Sequence, residues 1–446
     1  MNYNNKPKIN IKKIFCLVLI LFLGILIASN VSKAPSLFKL SHDSEPTSVP
    51  QQETVIPDTT ISMAVIGDVM CHGPNYKDAY NASTKTYDFS TFFTQIKSYI
   101  SDADIAIGNL ETTFAGGNKA YSGYPTFNSP PELAQNLLDL GIDVLTTSNN
   151  HSLDTGYNGL VNTIDTLDQV GISHTGTFKS EEEKNKILLK DVNGIKIAFL
   201  SYTYGTNGIS IPSGKEYCIN LIDKDLIKKQ LDSAKELNPD LICVSMHWGI
   251  EYKIKQNSEQ EDLANYLFEN GADIILGSHP HVLEPMEKRS ITLADGTTKD
   301  GFLIYSLGNF MSAQKDKYTK DSIILNLKLT KHSDGKVSID SYDYTPIYMQ
   351  DNGANATNRY QIIDLKKSIS AYENGDTSIS KSWYNTYVSE LKNVQTALGE
   401  TASTNSNATT SNTNSSTTNT NSNVTNTSND TKKSNTTKSN STSKSK

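Results

Sequence analysis

Cysteine is scarce in this chain. Cys16, Cys71, Cys218 and Cys243 are spread over 446 residues with no Cys-x-x-Cys spacing. That excludes a zinc–thiolate site and a disulfide-built scaffold. A basic excess is also missing: 41 Lys and Arg stand against 48 Asp and Glu, a formal net charge of −7. Nucleic-acid binders carry a clustered basic surface, so nucleic acid is not an expected partner. An anionic ligand would need a local positive centre, such as a metal ion. The sequence has no internal repeat. Histidine is limited to eight residues, yet two of them flank one proline in Gly277-Ser278-His279-Pro280-His281.

Long apolar runs are confined to one place. Residues 6–13 (KPKINIKK) are basic and residues 14–28 (IFCLVLILFLGILIA) are continuously apolar. This pattern directs a chain to the secretory route with its lysines inside. We expect residues 1–29 to act as a signal anchor, a single pass in the cell membrane with the main domain extracytoplasmic; cleavage would release it as a secreted protein. Residues 30–59, rich in Ser, Pro, Thr and Gln, predict a flexible stalk. Residues 401–446 are almost wholly Ser, Thr, Asn and Lys, without proline or an aromatic residue, and predict a disordered tail.

Between these ends the pattern alternates. Short β-branched runs at 62–67, 104–108, 143–147, 196–202, 241–246, 273–277 and 302–307 are strand candidates. Amphipathic helical segments are expected at 130–140, 158–170, 223–237 and 258–270. Gly141 and Gly271 stand where a helix-terminating glycine belongs. Asn193-Gly194, Asp295-Gly296 and Asp334-Gly335 predict hairpin turns. The reading is an α/β layered domain over 60–350, with a helical extension over 351–400 that includes a helix near 382–398.

The chemistry follows the strands. After successive apolar runs come Asp68, then Asn109-Leu110-Glu111, then Ser148-Asn149-Asn150-His151, then His247-Trp248-Gly249, then His279-Pro280-His281, then Gly308-Asn309-Phe310. In open α/β sheets the carboxyl ends of the strands face one crevice, so these groups should converge. Taken singly, each has a plain structural reading: a turn-forming Asp, an Asn turn, a core histidine. Together, Asp, Glu, Asn and His without cysteine suit one or two divalent ions such as Mn, Zn or Fe.

Asp68-Val-Met, Asn109-Leu-Glu111-Thr, Ser148-Asn-Asn-His151-Ser-Leu-Asp154, His247-Trp-Gly-Ile-Glu251-Tyr252, Gly277-Ser-His279-Pro-His281 and Tyr305-Ser-Leu-Gly-Asn309-Phe310 resemble the motifs of the CapA family of capsule synthesis proteins, linked to poly-γ-glutamate production. That family is similar to calcineurin-like metallophosphoesterases. The resemblance implies a four-layer α/β/β/α sandwich with a two-metal site. It implies Asp68 and His281 on the first metal, Glu111 as the bridging carboxylate, and Asn150, His247 and His279 on the second. His151 would be the general acid, with Asp154 either orienting it or capping the following helix. Glu251, Tyr252 and Asn309 would contact substrate or shape the site.

Two departures stand out. Met70 occupies a position that is histidine in the related phosphoesterases, and Gly108-Asn109 replaces their Gly-Asp. His72 is either a replacement ligand or a surface residue. Two functions stay open: a subunit for assembly or export of an anionic capsule polymer, working with other capsule subunits, or an active metal-dependent hydrolase of a cell-surface phosphoester or anionic polymer.

Overall fold

Strand β1 (Thr59–Val69) sets the architecture through its side-chain alternation. Ile61, Met63 and Val65 enter one apolar cluster, while Ala64 and Ile66 enter another. A strand with two buried faces must lie between two layers. The computed structural model describes residues 57–116, 119–293 and 296–400. The expected anchor, nearly all of the stalk, the turn residue Asp295 and the polar tail lie outside them. Among the described residues no helix is long and apolar enough to cross a membrane.

In chain order β1 is followed by a small hairpin of β2 (Tyr80–Asn81) and β3 (Thr86–Tyr87), then β4 (Ile105–Leu110), helix α1 (Glu132–Leu140), β5 (Val144–Thr146), α2 (Gly156–Val170) and β6 (Ser173–Thr175). Next come β7 (Leu188–Val192), β8 (Ile195–Thr203), α3 (Lys224–Glu236), β9 (Leu241–His247), α4 (Ser258–Glu269), β10 (Ile274–Ser278), β11 (Leu283–Thr292) and β12 (Thr298–Leu307). The chain ends through β13 (Asn309–Met311), β14 (Asp321–Lys331), β15 (Val337–Asp351), β16 (Tyr360–Asp364), α5 (Leu365–Glu373) and α6 (Lys381–Ala397).

These strands form two large sheets. One runs β16-β15-β14-β1-β4-β5-β6, with β13 also paired to β1; the other runs β11-β12-β10-β9-β8-β7. Each has a parallel centre and antiparallel strands at one or both edges. Ile61, Ile107 and Val144 of the first sheet share a cluster with Ile197, Cys243 and Ile304 of the second, so the sheets pack face to face. The outer face of the first sheet meets Leu133, Leu137 and Leu140 of α1. The outer face of the second meets Ile227 and Leu231 of α3 and Leu263 and Leu267 of α4. Four layers, α/β/β/α, result. The segment 351–400 contributes the strand β16 as well as two helices.

Local chemistry explains the helix limits. Asp223 accepts the Leu226 amide at the start of α3, and Asn257 with Gln260 forms a reciprocal capping box at the start of α4; such caps contribute about 1 kcal/mol each. Gly141 ends α1 at φ 110°, a left-handed conformation that favours glycine.

The sheets are stitched together at their carboxyl ends. After β12 the chain passes through Gly308 into β13, which pairs in parallel with β1, aligning Asp68 with Asn309. The Asp68 amide donates to the Gly308 carbonyl at 2.9 Å. This crossing demands close backbone approach: a Cβ on Gly67 would lie 2.0 Å from the Gly308 oxygen. It brings the ends of β1 and β4 in one sheet against the ends of β9 and β10 in the other.

Candidate metal centre

Asp68, at the end of β1, and Asn109, in β4, are register partners. The Asn109 amide donates to Asp68 Oδ1 at 2.9 Å and approaches Glu111 Oε2 at 3.5 Å. Across the gap, His247 and Ser278 are register partners at the ends of β9 and β10. The next turn carries His279 at φ 97° and His281 at φ 59°. Positive φ in a non-glycine residue costs of order 1–3 kcal/mol and persists where surrounding structure compels it. Here it aims both imidazoles inward on either side of Pro280.

Two groups of donors result, and Glu111 belongs to both. Asp68, Glu111 and His281 place one donor atom each within 4.8 Å of one another; so do Glu111, His247 and His279. His281 Nδ1 lies 3.3 Å from Asp68 Oδ2, and its Nε2 lies 3.9 Å from Glu111 Oε1. His247 Nε2 lies 3.6 Å from the same Glu111 oxygen and 2.8 Å from Asn150 Oδ1. His247 Nδ1 meets Ser278 Oγ at 2.9 Å. With Nδ1–H donating to that hydroxyl, the Nε2 lone pair points into the cluster. A third group joins Glu251, His279 and His281, with Glu251 exposed at the rim.

The donors sit in an environment that calls for a cation. Asp68 and Glu111 are fully buried. Glu111 Oε1 and His279 Nδ1 are buried without any hydrogen-bond partner, an arrangement that is costly in a protein interior. Burial, then the Asp68 and Glu251 carboxylates, push the Glu111 carboxyl well above its ordinary range. Burial, then the neighbouring imidazoles, hold His247 well below its usual value and His279 at about 3. The acid resists ionising while the imidazoles stay neutral, as ligands do. A divalent cation relieves the first and uses the second, so the residues present fit one.

His151 stands beside this cluster. Its Nδ1 meets Asp154 Oδ2 at 2.7 Å, and the same carboxylate oxygen accepts the Phe127 amide at 2.6 Å. Asp154 therefore holds the imidazole, and the residue at the helix cap position is Thr155. Tyr252, at φ 64°, donates its amide to the Pro280 carbonyl at 2.8 Å and places its ring 6.2 Å from that of His281. Burial, then Glu251, push its phenol up to about 12. Asn309 lies underneath, its amide donating to Gln314 Oε1 and the Thr319 carbonyl. Met70 is buried. His72 is half-buried, caps the short helix Gly73–Asp78 and packs edge-on against Phe127, outside the donor groups.

Sequence reading missed Tyr204 and Asn207. Tyr204 lies 4.6 Å, ring to ring, from His279 and stacks parallel to His247 at 6.3 Å. Asn207 accepts from the Asn150 amide at 3.1 Å. Both follow β8, so the strand-end rule that located the other residues applies to them as well.

Among solved structures, the chain is similar to the NAD nucleotidase of Haemophilus influenzae (TM-score 0.40, 12% identity, 76% of this chain and 60% of that one). It is also similar to the calcineurin-like phosphoesterase YfkN from Bacillus subtilis (TM-score 0.38, 16% identity, 65% of this chain and 91% of that one). Similarity at this level carries no functional weight. Sequence relatives include the capsule biosynthesis protein CapA of Bacillus anthracis, 29% identical over 276 residues, covering 60% of this chain and 64% of the relative. The PGA biosynthesis protein CapA of Bacillus subtilis (strain 168) is 29% identical over 296 residues, covering 65% of this chain and 74% of the relative. The chain thus spans less than two-thirds of the first of these. The model of the family described as bacterial capsule synthesis protein PGA_cap matches residues 62–314, more than half of the chain and every donor described above: the chain belongs to that family.

Proposed function

We propose that this protein serves capsule biosynthesis from the outer face of the membrane, holding an anionic group of the capsule polymer at a divalent-cation centre. Asp68, Glu111 and His281 would hold one ion, and Glu111, Asn150, His247 and His279 a second. The observation that carries this reading is Glu111: a buried carboxylate with an unpartnered oxygen, shared by two donor groups. When bound, divalent ions supply positive charge and Lewis acidity to an anionic oxygen.

The charge of the chain supports the same reading. An acidic protein and a polyanion repel, so contact requires a positive centre. Poly-γ-glutamate is the polymer that the family resemblance suggests, and other capsule subunits are the partners. Mn, Zn or Fe suits the mixed oxygen and nitrogen donors. Tyr204 and Tyr252, both partly exposed, flank the opening, where Glu251 would orient an amide or amine of the bound chain.

The His151–Asp154 pair favours a second reading, hydrolysis. Asp154 fixes the His151 ring, and a protonated His151 would deliver its proton to a leaving oxygen. Both readings are tested in a capsule-forming strain that carries this gene as its only copy. Glu111→Gln should abolish polymer output at unchanged protein level; wild-type output would sink the cation-centre reading. His151→Ala should leave output intact if the protein binds and assembles, and remove it if hydrolysis is the required step.

A further inference from the structure

Of the residues in the three donor groups, Glu251 alone is exposed. One of its carboxylate oxygens lies within 4.8 Å of a nitrogen of His279 and a nitrogen of His281, both buried. His281 is grouped with Asp68, and His279 with His247. Glu251 therefore spans the two groups from the solvent side, as the buried Glu111 spans them from the interior. The Tyr252 phenol donates to the Glu251 carboxylate and accepts from the Gln314 amide at 3.4 Å. The Tyr252 backbone amide donates to the Pro280 carbonyl at 2.8 Å. The segment that carries Glu251 is thus tied to the turn that carries both histidines.

An exposed glutamate is free to turn to water, yet this one turns toward two buried imidazoles. Its charge also reaches Glu111 and Tyr204. Like charges that share one opening repel, and among the described residues no Lys or Arg forms an ion pair with Asp68, Glu111 or Glu251. His279 Nδ1 is buried without a hydrogen-bond partner. Carboxylate oxygens and imidazole nitrogens gathered in this way suit a shared divalent ion. The two spanning acids differ in freedom. Packing locks Glu111 in place, whereas the exposed side chain of Glu251 can swing into water and leave the core intact.

We infer that Glu251 is an internal stand-in for the ligand: in the free protein its carboxylate coordinates metal together with His279 and His281, and a carboxylate of the incoming ligand displaces it. The inference rests on the cation-centre reading above and deepens it by naming the ligand's chemical class. One carboxylate replacing another leaves the charge of the centre unchanged, so the exchange favours a carboxylate ligand over a neutral one. Once displaced, Glu251 is free to face an amide or amine of the bound chain.

Two titrations of the full chain in detergent at neutral pH test this, with Zn as the metal and acetate as the probe ligand. In a chelator competition, Glu251→Gln should weaken Zn affinity at least about tenfold, the lower end of what losing even an outer-shell partner of a metal ligand costs. In calorimetry at saturating Zn, the same variant should bind acetate about tenfold more tightly than wild type, the factor for a site that Glu251 fills roughly nine-tenths of the time. Acetamide, the neutral counterpart, should bind neither protein. Glu259→Gln, an equal change of charge on the exposed first turn of α4, should leave both constants at their wild-type values. Unchanged Zn affinity in Glu251→Gln, acetate binding no tighter than wild type, equal binding of acetamide, or the same shifts in Glu259→Gln would overturn the inference and leave the cation-centre reading standing. A wild-type chain that binds no Zn would remove that reading and the inference with it.

Discussion

Replacing Glu111 with glutamine should change the stability of this protein in opposite directions with and without metal. The Glu111 carboxyl is fully buried beside Asp68, and one of its oxygens has no partner. Its folded pKa is raised well above the ordinary 4.5. Its contribution to stability is therefore complete below about pH 4.5 and is lost as pH rises through the folded value. At neutral pH the metal-free wild type either buries a charge or retains an extra proton. Glutamine has nearly the same shape and no charge, so Glu111→Gln should stabilise the chelated protein by about 1–3 kcal/mol, the scale of an unsatisfied buried polar group. With metal at about a hundred times its dissociation constant, only the wild type gains the roughly 2.7 kcal/mol of ligand linkage. For a domain of this size each kcal/mol shifts the melting temperature by about 1–2 °C. Calorimetric scans in chelator and in excess Mn or Zn should therefore show the two proteins exchanging rank. A variant less stable than wild type in chelator, or one that gains as much from metal, would refute the reasoning.

Ser278→Ala removes the group that orients His247 without removing a metal ligand, and should weaken metal affinity about 10–100-fold in a chelator competition. Unchanged affinity would mean that Ser278 Oγ is incidental. Glu284, buried and accepting from Gln260 at 2.7 Å, has its carboxyl pushed up to about 7 by burial. Its stabilising contribution is present below about pH 4.5 and disappears as pH approaches 7. At about 1.4 kcal/mol per pK unit, Glu284→Gln should gain on wild type across that window by on the order of 3 kcal/mol at most. Urea unfolding at several pH values reads this, and a pH-independent difference contradicts it. Gly67→Ala places a methyl group 2.0 Å from the Gly308 oxygen and should separate β13 from β1. A loss of roughly 3 kcal/mol or more is expected, seen as a fall in soluble yield and melting temperature; a variant that unfolds with wild-type stability would show that the crossing can relax.

Much of the candidate site was legible because one physical rule organises it. Residues directly after parallel strands share a crevice, and Asp68, Glu111, Asn150, His247, His279 and His281 all follow strands whose apolar runs are plain in the sequence. Tyr204 and Asn207 obey the same rule after β8, but a tyrosine and an asparagine in a Gly-rich loop carry no ligand signature of their own. The role of Asp154 needed coordinates, because a carboxylate before a helix serves equally as a cap or as a partner for His151. The helices were readable within two residues at most ends, from amphipathic spacing and from Gly141. The pairing of β1 with β14, some 260 residues away, was not readable. Antiparallel edges are set by tertiary register, and alternation inside each strand does not name its neighbour.

The most direct test of the central claim is the metal content of the full chain, purified in detergent without chelator and measured by mass spectrometry of the eluted ions. The account predicts two divalent ions per chain in the wild type, one after His281→Ala or His247→Ala, and none after Glu111→Gln, because that carboxylate belongs to both donor groups. A wild-type chain that holds no ion after incubation with Mn, Zn or Fe, or a Glu111→Gln chain that still holds two, would contradict it.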